Sequence, residues 1–178
     1  MNLIIRLATM DDIPVLEELI RDSVRGLSDS YYSPQQIESA LVHVFGVDTQ
    51  LILDGTYFIA ELGGQIAGSG GWSKRETLFG GDQSKADRID SLLDPSSKPA
   101  RIRAFYIHPN WSRRGIGTLI LKSCEDAARE AGFRRVELAS TLPGIPFYLA
   151  RGYEKGEEVR IEMADGQLLS TFRMTRLL

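Results

Sequence analysis

Residues 101–131 read RIRAFYIHPNWSRRGIGTLILKSCEDAAREA, and this stretch decides the fold. It opens with strand character ending at Ile107, turns at His108-Pro109-Asn110, and reaches Arg113, Arg114, Gly115, Ile116 and Gly117. Apolar residues at Ile116, Leu119, Ile120, Cys124, Ala127, Ala128 and Ala131 then recur at three- and four-residue spacing, which predicts a helix with one buried face. The order is strand, turn, glycine-bearing loop, helix. The first N–H groups of a helix lack internal partners, and with the helix dipole they form an anion site. Gly115 and Gly117 remove Cβ atoms that would stand between backbone and ligand, while Arg113 and Arg114 supply positive charge. The expected ligand is a phosphate or pyrophosphate group. No Gly-Lys-Ser/Thr follows, which excludes a nucleoside-triphosphate loop, and Ile120 stands where the dinucleotide fingerprint needs its third glycine.

The run AFYIHPNWSRRGIGTLIL, 104–121, resembles motif A of the GNAT superfamily of N-acetyltransferases, and FYLARGY, 147–153, resembles motif B of the same family at a fitting distance. One departure is Ser112, which occupies the family's Gln/Arg position. The resemblance implies an α/β (α+β) fold: a mixed, mostly antiparallel sheet of about six or seven strands with a splayed parallel pair, flanked by about four helices. It also implies acetyl-CoA as cosubstrate and no metal. Arg113, Arg114, Gly115, Ile116, Gly117 and Thr118 would then hold the pyrophosphate, and the backbone of Phe105, Tyr106 and Ile107 would pair with the pantetheine arm. Thr141 falls where the family often carries an Asn that bonds CoA. Tyr148 matches the motif-B tyrosine, which protonates the departing thiolate.

Acetyl transfer to an amine needs a neutral nucleophile, a donor for the oxyanion and a proton for the thiolate. An alkyl amine has a pKa of about 10 and must lose its proton first. Backbone N–H near Ile107 is the expected oxyanion donor, and a phenol, protonated at neutral pH, can supply the last proton. Glu61 and Glu137 lie on predicted strands as candidate bases, with their facing undecided. The competing readings are a noncatalytic acyl-CoA sensor or partner-binding module, and a structural domain with an accidental glycine loop.

The remaining chain is read around this unit. At 178 residues it fits one domain, 1–178, with enough length for a core without disulfides. Its single cysteine, Cys124, falls on the apolar helix face, and two histidines with no Cys pairs offer no metal-ligand spacing. A net charge of −3 argues against nucleic acid as a partner. The absence of a long apolar run or a signal-peptide pattern points to the cytoplasm and away from membranes. A homodimer is an expectation from family habit alone.

In chain order, 3–7 reads as a strand, and Thr9 with Asp12 caps a helix that turns Ile13, Leu16, Leu19, Ile20 and Val24 inward. Ser33-Pro34-Gln35-Gln36 is a capping box for a second helix. In the family this helix pair covers the acceptor, a small-molecule or peptide amine, so Tyr31 is a candidate contact, with Tyr32 a weaker one that also fits a hydrophobic staple. Gly63-Gly64 predicts a hairpin between strands 56–62 and 65–72, and Gly68, Gly70 and Gly71 mark a bulge or a close approach of ligand or backbone. Trp72 is a candidate pocket wall. The acidic, irregular segment 73–99 reads as a lid or a surface loop, with one helical turn expected at Ile89, Leu92 and Leu93. A strand at 135–140, a short helix stopped by Gly152, and a hairpin of 159–163 with 168–175 complete the reading.

Overall fold

Gly63 and Gly64 both take positive φ, 60° and 81°, the geometry of a tight two-residue hairpin turn. They join Tyr57–Leu62 to Gln65–Ser73 in the computed structural model, which describes residues 2–84 and 90–178. Those strands are β2 and β3. The others are β1 (Leu3–Leu7), β4 (Ala100–Ile107), β5 (Arg135–Thr141), β6 (Glu154–Glu162) and β7 (Leu168–Leu177). They form one seven-stranded sheet in the order β1-β2-β3-β4-β5-β7-β6. Every neighbouring pair is antiparallel except β4 and β5, which are joined by a crossover helix.

Five α-helices lie among the described residues: α1 (Ile13–Ser28), α2 (Pro34–His43), α3 (Thr49–Leu53), α4 (Ile116–Glu130) and α5 (Ile145–Leu149). Strand alternation sorts them into two layers. Tyr57 and Ile59 join the core built on Leu16, Ile20, Ile37 and Leu51 from the first three helices. Phe58 and Ala60 turn to the opposite core, built on Ile116, Ile120, Cys124 and Tyr148 from α4 and α5. Ile120 is wholly buried, and a side chain of that size contributes about 1.5–3 kcal/mol by leaving water. None of the described helices is long and apolar enough to cross a membrane.

Local signals place most boundaries. The Ser33 hydroxyl accepts from Gln36 N–H at 3.1 Å while the Gln36 carboxamide accepts from Ser33 N–H at 2.9 Å, the reciprocal cap that starts α2. Gly152, at φ 81°, ends the turn after α5, where Tyr153 N–H reaches back to Tyr148 C=O.

Four expectations are corrected. Leu119 is 44% exposed and Leu121 takes its place in the core, because the buried stripe of α4 runs through 116, 120, 121, 124 and 128. The one-and-a-half-turn helix α3 is extra, capped by the Asp48 carboxylate accepting from Leu51 N–H at 3.4 Å. Strand β6 begins five residues before the expected Val159, since 154–158 form an exposed, charged edge with no apolar alternation to reveal it. Leu92 makes an antiparallel bridge to Arg75 and no helical turn forms at Leu92 or Leu93. Ile89, and Asp87 of the acidic segment, lie outside the described residues.

Candidate active site

The parallel pair is short. Strand β4 meets β5 only at Ala100 opposite Val136 and Arg101 opposite Glu137, and from Ile102 onward the two strands part. His108 N–H bonds back to Ala67 C=O on β3 at 3.0 Å, and Tyr106 pairs with Ser69. Alternation then turns the backbone groups of Phe105 and Ile107 into the gap, away from β3. Tyr106, expected to offer its backbone there, pairs with β3 instead. Ala104, in a left-handed conformation (φ 55°), marks the bulge where β4 changes register.

The Ile107 N–H, expected near the oxyanion, donates to the Ser23 hydroxyl of α1 at 3.1 Å. Ser23 is 5% exposed, so this contact seals α1 onto the free edge of β4. Phe105 N–H is left as the amide facing the gap.

Beyond β4 the chain turns through His108-Pro109, with His108 Nδ1 accepting from Asn110 N–H at 3.2 Å, so His108 is a turn residue. Arg113 (φ 60°) and Gly115 (φ 82°) are both left-handed and carry the loop into α4. A left-handed L-residue costs about 1–2 kcal/mol, strain of the kind concentrated at ligand sites. The N–H groups of Ile116, Gly117 and Thr118 come before the first residue able to bond within the helix, Leu119, which reaches Gly115 C=O at 3.2 Å. A Cβ on Gly115 would meet open space, so its requirement is the positive φ. Gly117 serves differently from expectation: its Cβ would lie 3.0 Å from the Phe147 ring, so the glycine admits α5 rather than clearing a path for phosphate. Arg113 and Arg114 have no ion-pair partner among the described residues, and the Arg114 guanidinium lies 4.9 Å from the centre of the Trp111 ring.

Phe147 leads to the candidate acid. Tyr148 is 7% exposed, with ring centres of Phe147, Tyr153 and Phe105 at 5.0, 5.3 and 6.2 Å. Burial pushes its phenol well above the usual tyrosine value, and no hydrogen bond contributes to the shift. The side chain is therefore a protonated phenol at neutral pH. The structure thus gathers Phe105, Gly117 and Tyr148 around one aromatic cluster. Cys124, on the same side, is buried and its thiol is likewise pushed up by burial, which suits a packing role.

Other candidates are placed elsewhere. Trp72, expected as a pocket wall, is a core residue, 5% exposed and edge-on to Phe133 at 6.0 Å. The β3 glycines beside it lie at the expected bulge, where the β3–β4 register shifts between Ser69 and Gly71, and they make room for side chains: a Cβ on Gly70 would lie 2.4 Å from Phe105 and one on Gly68 2.7 Å from Ile107. Tyr31 is half exposed, whereas Tyr32 is buried, its hydroxyl donating to Ser170 C=O at 2.7 Å and accepting from Leu142 N–H at 2.8 Å. Burial raises the Tyr32 phenol to about 12. Thr141 ends β5 opposite Thr171 of β7.

Glu61 is bonded to Arg6 at 3.2 Å, and Glu137 is paired with both Arg101 and Arg173, so both candidate bases are engaged by guanidinium groups. Three of the four described acids of 73–99 also bond within the fold, while Glu76 is exposed. Asp82 accepts from Thr49 N–H, Asp90 from Thr77 N–H, and Asp94 from Ser96 N–H. Among the described residues, no group of three or more His, Cys, Asp or Glu side chains gathers as a metal site.

Two features had no signal in the sequence. Arg151 lies over the Phe147 ring at 3.8 Å, and its Nε donates to the Thr118 hydroxyl at 3.0 Å across 33 residues. Glu125, on the buried face of α4, accepts from Tyr153 at 2.8 Å and from Arg176 at 2.9 Å, tying α4 to β7 and the end of motif B.

Residues 18–153 match the model of the Acetyltransferase (GNAT) family. Comparison with curated proteins gives no match. Among solved structures, a GCN5-related N-acetyltransferase from Rhodopseudomonas palustris aligns over 100% of this chain and 97% of its own at 20% identity and TM-score 0.74. The PaiA N-acetyltransferase from Thermoplasma acidophilum, in complex with coenzyme A, aligns over 100% of both chains at 17% identity and TM-score 0.66. The yncA structure from Salmonella typhimurium, with its cofactor acetyl-CoA, aligns over 100% of this chain and 95% of its own at 16% identity and TM-score 0.64. At these identities the structures speak for the fold, and the family match extends from within α1 to the end of motif B, so the chain belongs to the GNAT acetyltransferase family.

Proposed function

We propose that this chain moves the acetyl group of acetyl-CoA to a primary amine by direct attack in a ternary complex. The observation that carries the reading is Tyr148: a buried phenol, kept protonated by its surroundings, packed beside Phe105 at the edge of the gap that β4 opens. The free N-terminus of α4 with Arg113 and Arg114 suits the diphosphate, and the outward backbone of Phe105, with the Ile107 N–H already bonded to Ser23, suits the amides of the pantetheine arm. Relatives of the fold that carry CoA or acetyl-CoA support this choice of acyl carrier.

The neutral amine attacks the thioester carbonyl, forming the C–N bond. The oxygen gains charge and is met by Phe105 N–H, a donor of a kind worth about 3 kcal/mol. As the C–S bond breaks, sulfur takes the Tyr148 proton and leaves as free thiol. The nitrogen sheds one proton, and the phenolate regains one from solvent. Thiol and N-acetyl product account for every atom. Tyr31, half exposed between α1 and α2, is the proposed acceptor contact. Within this reading the chain is a single domain acting in the cytoplasm.

The test is release of free thiol from acetyl-CoA with a panel of primary amines, including amino acids and peptides. Turnover with at least one is expected. Binding of acetyl-CoA with no turnover on any amine would make the chain a noncatalytic acyl-CoA-binding module.

A further inference from the structure

Arg151 follows α5 in the chain, yet its guanidinium is held at the start of α4. Nε and one terminal nitrogen donate to the Thr118 hydroxyl, the other terminal nitrogen donates to Phe147 C=O at 2.8 Å, and the plane lies 3.8 Å from the Phe147 ring centre. Thr118 is the third residue of α4, so its N–H is one of those without an internal partner. These contacts use three of the five guanidinium N–H groups and leave two free, one on each terminal nitrogen. No carboxylate among the described residues pairs with Arg151, nor with Arg113 or Arg114. Three guanidinium groups without a carboxylate partner near one helix N-terminus make a local positive patch in a chain of net charge −3, which suits an anion.

We propose that Arg151 is a third cationic arm of the cosubstrate cradle, binding the diphosphate of the acyl carrier from the α5 side. This rests on the acetyltransferase reading above and adds a ligand outside the α4 loop. Two arginines, Arg113 and Arg114, belong to the loop that leads into the helix. Arg151 reaches the helix start from the chain after α5, preorganised by the Phe147 ring and the Thr118 hydroxyl, so little side-chain freedom remains to be lost on binding. Because Arg151 also donates to Phe147 C=O, a diphosphate held by it is tied to the residue preceding Tyr148. The carrier's phosphate end and the proton donor are thereby fixed to one short element.

The test compares Arg151→Gln and Arg151→Lys with the parent by calorimetry, using CoA and 3′-dephospho-CoA, which share the diphosphate. Arg151→Gln should weaken both carriers by about tenfold or more, the usual weight of a charge-assisted contact. Arg151→Lys should recover part of the loss, raised salt should narrow the gap between parent and Gln variant, and the melting temperature of the free protein should hold. Affinities equal to the parent's would overturn the proposal. So would a loss confined to CoA, which would move the contact to the 3′-phosphate, or a loss that tracks a lowered melting temperature in both variants. Failure of the acetyltransferase reading looks different: the parent itself would then take up neither carrier.

Discussion

Replacing Tyr148 by Phe removes one oxygen and leaves the ring. The neighbours at 5.0, 5.3 and 6.2 Å keep their partner, and no hydrogen bond is lost, since none contributes to the raised phenol pKa. Stability should therefore change by less than about 1 kcal/mol, because a hydroxyl with no partner has little to forfeit. Turnover should respond very differently. A positioned general acid is worth about 10²–10⁴-fold, or roughly 3–5 kcal/mol of barrier, and the fall should appear in kcat. Acetyl-CoA affinity should hold, since the proposed cradle lies in the α4 loop and along β4 and does not include the Tyr148 hydroxyl. Thiol release gives the rate, and calorimetry gives the affinity. The pH profile adds a second check. Burial raises the phenol, so the donor stays protonated above the range of an ordinary tyrosine, and the parent's rate should climb as the amine acceptor deprotonates near its pKa of about 10. Turnover by Tyr148→Phe equal to the parent's, at unchanged stability, would refute the assignment.

Two further substitutions probe the scaffold. Ser23→Ala frees the Ile107 N–H, so the free protein should lose about 1 kcal/mol in denaturant unfolding while CoA binds several-fold more tightly; weaker binding would mean that Ser23 assists the carrier. Asp48→Ala strips a carboxylate that is 0% exposed from an Arg103 side chain that is 1% exposed, 2.9 Å away. It should cost about 3 kcal/mol by chemical denaturation, held down by Asp90 and Thr77 C=O, which remain on Arg103; a loss below about 1 kcal/mol would show that the pair is dispensable.

Much of this molecule is legible in its residues because the decisive signals are local. Gly63-Gly64, the Ser33-to-Gln36 cap and the strand-turn-loop-helix of 101–131 each encode their geometry within a few positions. Where partners are distant the reading stops. Arg151 reaches Thr118 across 33 residues and Ser23 reaches Ile107 across 84, and nothing near either residue announces the contact. Elements without a full period are equally silent: α3 is five residues long, and the first half of β6 is charged and exposed. Glycines are ambiguous in a particular way. A missing Cβ can make room for a ligand or for a neighbour, and at Gly117, Gly68 and Gly70 the neighbour is Phe147, Ile107 or Phe105. Trp72 misleads for a related reason, since an aromatic beside glycines reads as a pocket wall until Phe133 is seen against it.

The proposed seat of the acyl carrier is the parting of β4 from β5 together with the bare N-terminus of α4. Titration of the purified protein with CoA in a calorimeter tests this directly. Saturable heat with one CoA per chain, weakened when Gly115 is replaced by a bulky β-branched residue that cannot hold φ 82°, is the predicted result. Absence of any saturable heat from the parent protein would contradict it.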